Sequence, residues 1–96
     1  MMKENYNYPL NPEWTTDELI LVVNLWGTLE ETYEKKVTAE SFLKAYAGFK
    51  TVVKSIGEER ELGRDFEEAS GYSLYHVAKQ ARAQKTGILN RKDFAK

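Results

Sequence analysis

A chain of 96 residues with 42% hydrophobic and 30% charged side chains has material for one core and not for two. Zero cysteines exclude disulfide staples, thiolate zinc sites and thiol nucleophiles, and fourteen basic against fifteen acidic residues, a net charge of −1, argue against a protein whose main task is neutralising phosphate. The longest apolar run, Leu19 to Val23, is far short of the roughly 20 residues that cross a bilayer, and Met1 to Asn5 leads into no signal-type apolar stretch, so a cytoplasmic protein is expected.

Residues 1–15 combine Pro9 and Pro12 with Tyr6, Tyr8, Leu10 and Trp14 and show no helical period, so they read as an extended lead-in whose aromatics lie against the helices. The first helix is predicted over about 16–35. Thr15 can cap it, Glu18 can reach back to the cap amide, and Trp14 can close over Leu19 as a hydrophobic staple. Leu19, Val22, Trp26, Leu29 and Tyr33 recur at spacings of three and four, the period of a buried stripe. Ile20, Leu21, Val23 and Leu25 are expected to widen that stripe, leaving an arc with Asn24, Thr28, Glu31 and Lys35 polar.

Thr38 repeats the cap signal with Val37 as its staple, and a second helix follows over about 39–54. Its inward face is Phe42, Tyr46, Phe49 and Val53, with Ile56 extending it, and the short connection makes the pair an antiparallel hairpin. Ser55 can cap a third, acidic helix over about 58–70, whose apolar stripe is Leu62, Phe66 and Ala69, and Gly71 suits the left-handed residue that ends it. Ser73 then caps a fourth helix over about 74–86 that turns Leu74, Val77, Ala78 and Ala81 inward and stops at Gly87. Residues 88–96 lack a sustained period and read as a flexible basic tail. The fold class is therefore all-α: one domain over 1–96, a compact bundle of four helices with an extended aromatic N-terminal segment.

The stretches Tyr8-Pro9-Leu10, Trp14-Thr15-Thr16-Asp17-Glu18, Phe49-Lys50-Thr51-Val52-Val53 and Phe66 through Tyr75, in that order, carry a family likeness. Over roughly residues 6–86 the chain resembles the YktA-type family of small uncharacterised cytosolic proteins of bacilli and related Gram-positive bacteria. The resemblance implies an all-helical fold and assigns no activity, cofactor or functional residue.

The residues themselves offer no catalytic, cofactor-binding or metal-ligating constellation, so no enzyme and no cofactor are expected. His76 is the sole histidine and reads as a helix-start surface residue; Glu61, Asp65 and Glu68 read as a solvated acidic face without the Glu-x-x-His pairs of a carboxylate metal bundle. Glu30 falls inside the apolar side of the first helix, where a carboxylate must pair, reach the rim or hold a proton. It reads either as a rim residue bonded to a tyrosine hydroxyl or a lysine, or as a recognition group at an interface.

Charge is segregated: residues 1–71 hold eight basic and fourteen acidic side chains, residues 72–96 six basic and one acidic. Tyr75, Lys79 and Arg82, spaced i, i+4 and i+7, place a ring and two cations on one stripe of the fourth helix. That stripe can dock on an acidic helix, or, with Arg91 and Lys92, on nucleic acid. The leading expectation is a non-catalytic helical protein that binds another protein or its own copy as a homodimer. Association with nucleic acid is second, and no membrane partner is expected.

Overall fold

The computed structural model describes residues 8–94, and their elements are helices: α1 (Thr16–Glu34), α2 (Ala39–Val52), α3 (Ile56–Ser70), α4 (Leu74–Gln84) and a short α5 (Arg91–Phe94). Tyr6 and the rest of 1–7, with 95–96, lie outside the described residues. The helix starts follow from side-chain oxygens that satisfy first-turn amides. The Glu18 amide donates to Thr15 Oγ1 at 3.2 Å while the Thr15 amide donates to Glu18 Oε1 at 2.9 Å, a complete capping box. Thr38, Ser55 and Ser73 accept in turn from the amides of Ser41, Glu58 and His76. Gly71, at φ 84°, supplies the left-handed residue that closes α3 and turns the chain into α4.

The core is built on α1. Val22, Leu25, Trp26 and Leu29 are completely buried, and α1 packs most extensively on α2. Leu21 near the start of α1 touches Gly48 near the end of α2, so the two run antiparallel across their short connection. Trp26 is the hub: it stacks on Phe66 of α3 with ring centroids 4.6 Å apart, meets Phe49 of α2 edge-on at 5.6 Å, and donates its indole N–H to the Pro9 carbonyl at 3.2 Å. That last bond, with Tyr8 tilted against Phe66, fastens the described part of the lead-in to the helices. Sequence periodicity selects these residues because positions 22, 25, 26, 29 and 33 share one side of a 3.6-residue helix.

Several expectations are corrected. Of the residues expected to widen the buried stripe of α1, Leu25 alone is fully buried; Ile20 is 60% exposed, and Leu21 and Val23 are partly exposed, Leu21 lying against Gly48 of α2. Ala69 is exposed, so Phe66 is the one fully buried side chain of α3, and Ile56 opens α3 with 60% of its surface in water instead of extending the face of α2. The fourth helix ends at Gln84, two residues early, where Lys85 takes φ 70° and the Gln84 side-chain amide donates to the carbonyls of Thr86 and Ile88.

The expected flexible tail is anchored through residue 94. The Leu89 amide donates to the Val37 carbonyl and the Ala39 amide to the Gly87 carbonyl, so the tail pairs across the α1–α2 connection, with Ile88 bridged to Thr38. Gly87, at φ 86°, also donates its amide to Glu40 Oε1. Leu89 and Phe94 are buried, and Phe94 meets Tyr33 edge-on at 5.0 Å. Two isolated apolar residues five apart carry no period, which is why the pattern concealed their burial.

Candidate functional site

Phe66 is the one fully buried side chain of α3; Leu62 packs half-buried on the core, Glu59 is tied to Tyr46 and Lys50 of α2, and a gap is left between α3 and α4. The gap is a groove of about 710 Å³, open to solvent, with α3 as one wall and α4 and the end of α2 as the other. Leu74 and Ala78, both nearly fully buried, give it an apolar floor, and the exposed Ile56 lines it at the start of α3. At Gly63 α3 comes close to α4: a Cβ there would be in ordinary contact with the Leu74 side chain at 3.6 Å.

The rim is cationic. Arg60 and Arg64 project from α3 at i, i+4, and Lys50 and Arg82 stand on the α2 and α4 side. Two acidic residues, Glu59 and Glu67, share the lining. Glu59 is consumed locally, because it pairs with the Lys50 ammonium and accepts the Tyr46 hydroxyl proton at 2.6 Å. Arg82 lies 5.7 Å from the centre of the Tyr46 ring and donates to its hydroxyl at 3.3 Å. Burial first, and then the hydrogen bond and negative charge of Glu59, push the Tyr46 phenol above its ordinary value near 10.0, against the lowering influence of Arg82. Among the described residues, Arg60 and Arg64 form no salt bridge.

The four residues singled out by sequence divide between the groove and its surroundings. Tyr75 and Arg82 line the groove, and Tyr75 exposes 64% of its surface there. Lys79 lies just outside, its ammonium 5.9 Å from the Tyr75 ring centre. Glu30 is elsewhere, half-buried on α1, where Oε1 accepts the Tyr8 hydroxyl at 2.7 Å. His76 is half-buried beside Tyr75, ring centroids 5.4 Å apart, and does not line the groove. The tail's Arg91 is committed to Tyr33, over whose ring it sits at 5.5 Å while donating to the Tyr33 carbonyl at 3.4 Å. Among the described residues no three His, Cys, Asp or Glu gather as a cation site, and no helix is long and apolar enough to cross a membrane.

Sequence reasoning missed Tyr46, Lys50, Arg60 and Arg64. The i, i+4 arginine pair was a legible signal on an otherwise acidic helix. That it faces α4 follows from the burial of Phe66, which fixes the roll of α3 about its own axis.

Comparison with known proteins gives one family. Residues 5–90 match the uncharacterised protein family UPF0223. A UPF0223 protein of Enterococcus faecalis (strain ATCC 700802 / V583) is 51% identical over 86 residues, covering 90% of this chain and 94% of the relative. One from Streptococcus sanguinis (strain SK36) is 46% identical, covering 93% and 97%, and one from Lactococcus lactis subsp. cremoris (strain MG1363) is 52% identical, covering 85% and 88%. The chain therefore belongs to UPF0223, a family of uncharacterised proteins found in Gram-positive bacteria. These relatives carry that designation and not the YktA-type label, and no catalytic family is indicated.

Proposed function

We propose that this UPF0223 protein acts without catalysis, by docking a segment of another protein in the groove between α3 and α4; the YktA-type likeness of residues 6–86 is retained as part of this reading. The observation that carries it is the groove itself, in which an apolar floor, an exposed tyrosine and a rim of cations lie together on a small domain. Large apolar and aromatic side chains left in water beside cations are the raw material of an interface anchor. The lining runs from Ile56 to Glu67, about 16 Å along α3 at 1.5 Å per residue, which an extended segment of about five residues or a helix of about eleven spans.

Site-specific photo-crosslinking tests the reading. A benzophenone amino acid at Tyr75 in native cells is expected to give a discrete heterologous adduct, lost when Arg60 and Arg64 are both changed to Glu and absent from a control position at Asn90. An adduct that survives the Arg60→Glu, Arg64→Glu change, or that forms equally at Asn90, contradicts it.

Self-association is a second reading, favoured by a separate observation. Leu10, Ile20, Leu21 and Val23 are exposed within one short stretch, Ile20 to 60%. Light scattering on the purified protein tests it: a concentration-dependent dimer abolished by Ile20→Glu is expected, and a monomer at every concentration excludes it. Nucleic-acid association through Lys79, Arg82 and the tail has less to draw on, since Lys79 lies outside the groove and the tail's Arg91 is held over the Tyr33 ring.

A further inference from the structure

We infer that the groove selects an acidic amphipathic segment: a stretch of partner chain with carboxylates flanking one or two bulky apolar side chains. This rests on the groove being a protein-docking site. Charge complementarity is the ground for it. The lining holds four cations against two carboxylates on a chain whose net charge is −1, and with the Lys50–Glu59 pair set aside Arg60, Arg64 and Arg82 stand against Glu67 alone. Arg60 and Arg64 make no salt bridge among the described residues, and they line the groove from α3 while Arg82 lines it from α4. Cations thus stand on both walls with apolar surface between them. A ligand complementary to that order carries negative charge on its flanks and an apolar side chain at its centre, and arginine's planar donor fork suits carboxylates in particular.

The remaining features of the groove agree. Tyr75, a groove-lining residue, is 64% exposed, so its ring can close over an inserted Leu or Phe. The outer side of α3, with Glu61, Asp65 and Glu68, has the opposite sign and repels the same ligand, so the acidic segment is steered to one side of this helix.

Fluorescence anisotropy on the full chain provides the test, with a labelled twelve-residue synthetic peptide that places two leucines four apart among Glu and Asp residues. Two control peptides replace the leucines by serine or the acidic residues by lysine. The acidic leucine peptide is expected to bind at least tenfold more tightly than either control, and to weaken at least tenfold with the Arg60→Glu, Arg64→Glu variant and with Tyr75→Ala, both at exposed positions. Should the double variant fail to fold, Arg60→Gln, Arg64→Gln takes its place, with a smaller loss of affinity expected. Absence of binding at low salt overturns the inference, as does equal binding by the serine peptide, which would reduce the groove to a generic cation patch. Tighter binding of a single-stranded DNA oligonucleotide overturns it too. If the crosslink from Tyr75 captures a partner while the acidic peptide does not bind, the inference fails and the docking reading stands; if neither occurs, both fail.

Discussion

At the scale of single residues, the most consequential group is Tyr46, which joins α2, α3 and α4 by donating to Glu59 and accepting from Arg82. Removing the hydroxyl with Tyr46→Phe leaves Glu59 with Lys50 alone, and a loss of about 1–2 kcal/mol in chemical denaturation is expected, the usual range for a bond to a charged group in a partly wet site. The phenol also sets a pH dependence. A tyrosine whose folded pKa is raised contributes stabilisation that is fully present below its unfolded value near 10 and is lost as pH rises through the folded value. Tyr33 is shifted the same way, chiefly by burial and against the Ser73 amide that donates to its oxygen. The melting temperature should therefore begin to fall as pH rises past about 10, and Tyr46→Phe should lower the neutral-pH value while flattening that fall. A variant with an alkaline slope as steep as the parent's would remove Tyr46 from this role. Glu30 was legible from the helical wheel because position 30 lies between apolar neighbours whatever else the fold does. Its partner Tyr8 was not, because residues 22 apart in sequence meet through tertiary packing that local spacing does not encode.

At the scale of elements, the four long helices announced themselves through their caps. Thr15, Thr38, Ser55 and Ser73 each sit one residue ahead of a helix and each accepts a first-turn amide, so local hydrogen bonding and the observed starts coincide. Ends were less legible. The end of α4 is set by the Gln84 side chain reaching over Lys85 to two carbonyls, a contact with no repeating pattern. Lys85 holds φ 70°, a value that costs a residue with a Cβ, so Lys85→Gly should stabilise the protein by about 0.5–1 kcal/mol, read as a rise in melting temperature. Phe66 is the one fully buried side chain of α3. Phe66→Ala should cost about 3–5 kcal/mol by global unfolding, and hydrogen exchange should show residues 56–70 losing protection ahead of α1 and α2. Uniform loss across all helices would mean that Phe66 does not hold α3 in particular. The groove escaped the sequence because periodicity reports which side of a helix is apolar, not how far the helix stands from its neighbour.

At the scale of the whole molecule, the chain divides its apolar surface between a core centred on Trp26 and patches left in water, and it concentrates cations where α3 and α4 part. The overall charge balance of −1 hid this, because the acidic outer side of α3 cancels the groove in the sum. Partner binding confined to the groove should cover α3 and α4 and leave the exposed apolar stretch of α1 untouched. Hydrogen exchange on the protein alone and in complex with the partner captured from Tyr75 reads this directly. The account predicts new protection at 56–67 and 74–82 with none at 16–24; protection confined to 16–24, or spread evenly over every helix, would contradict it.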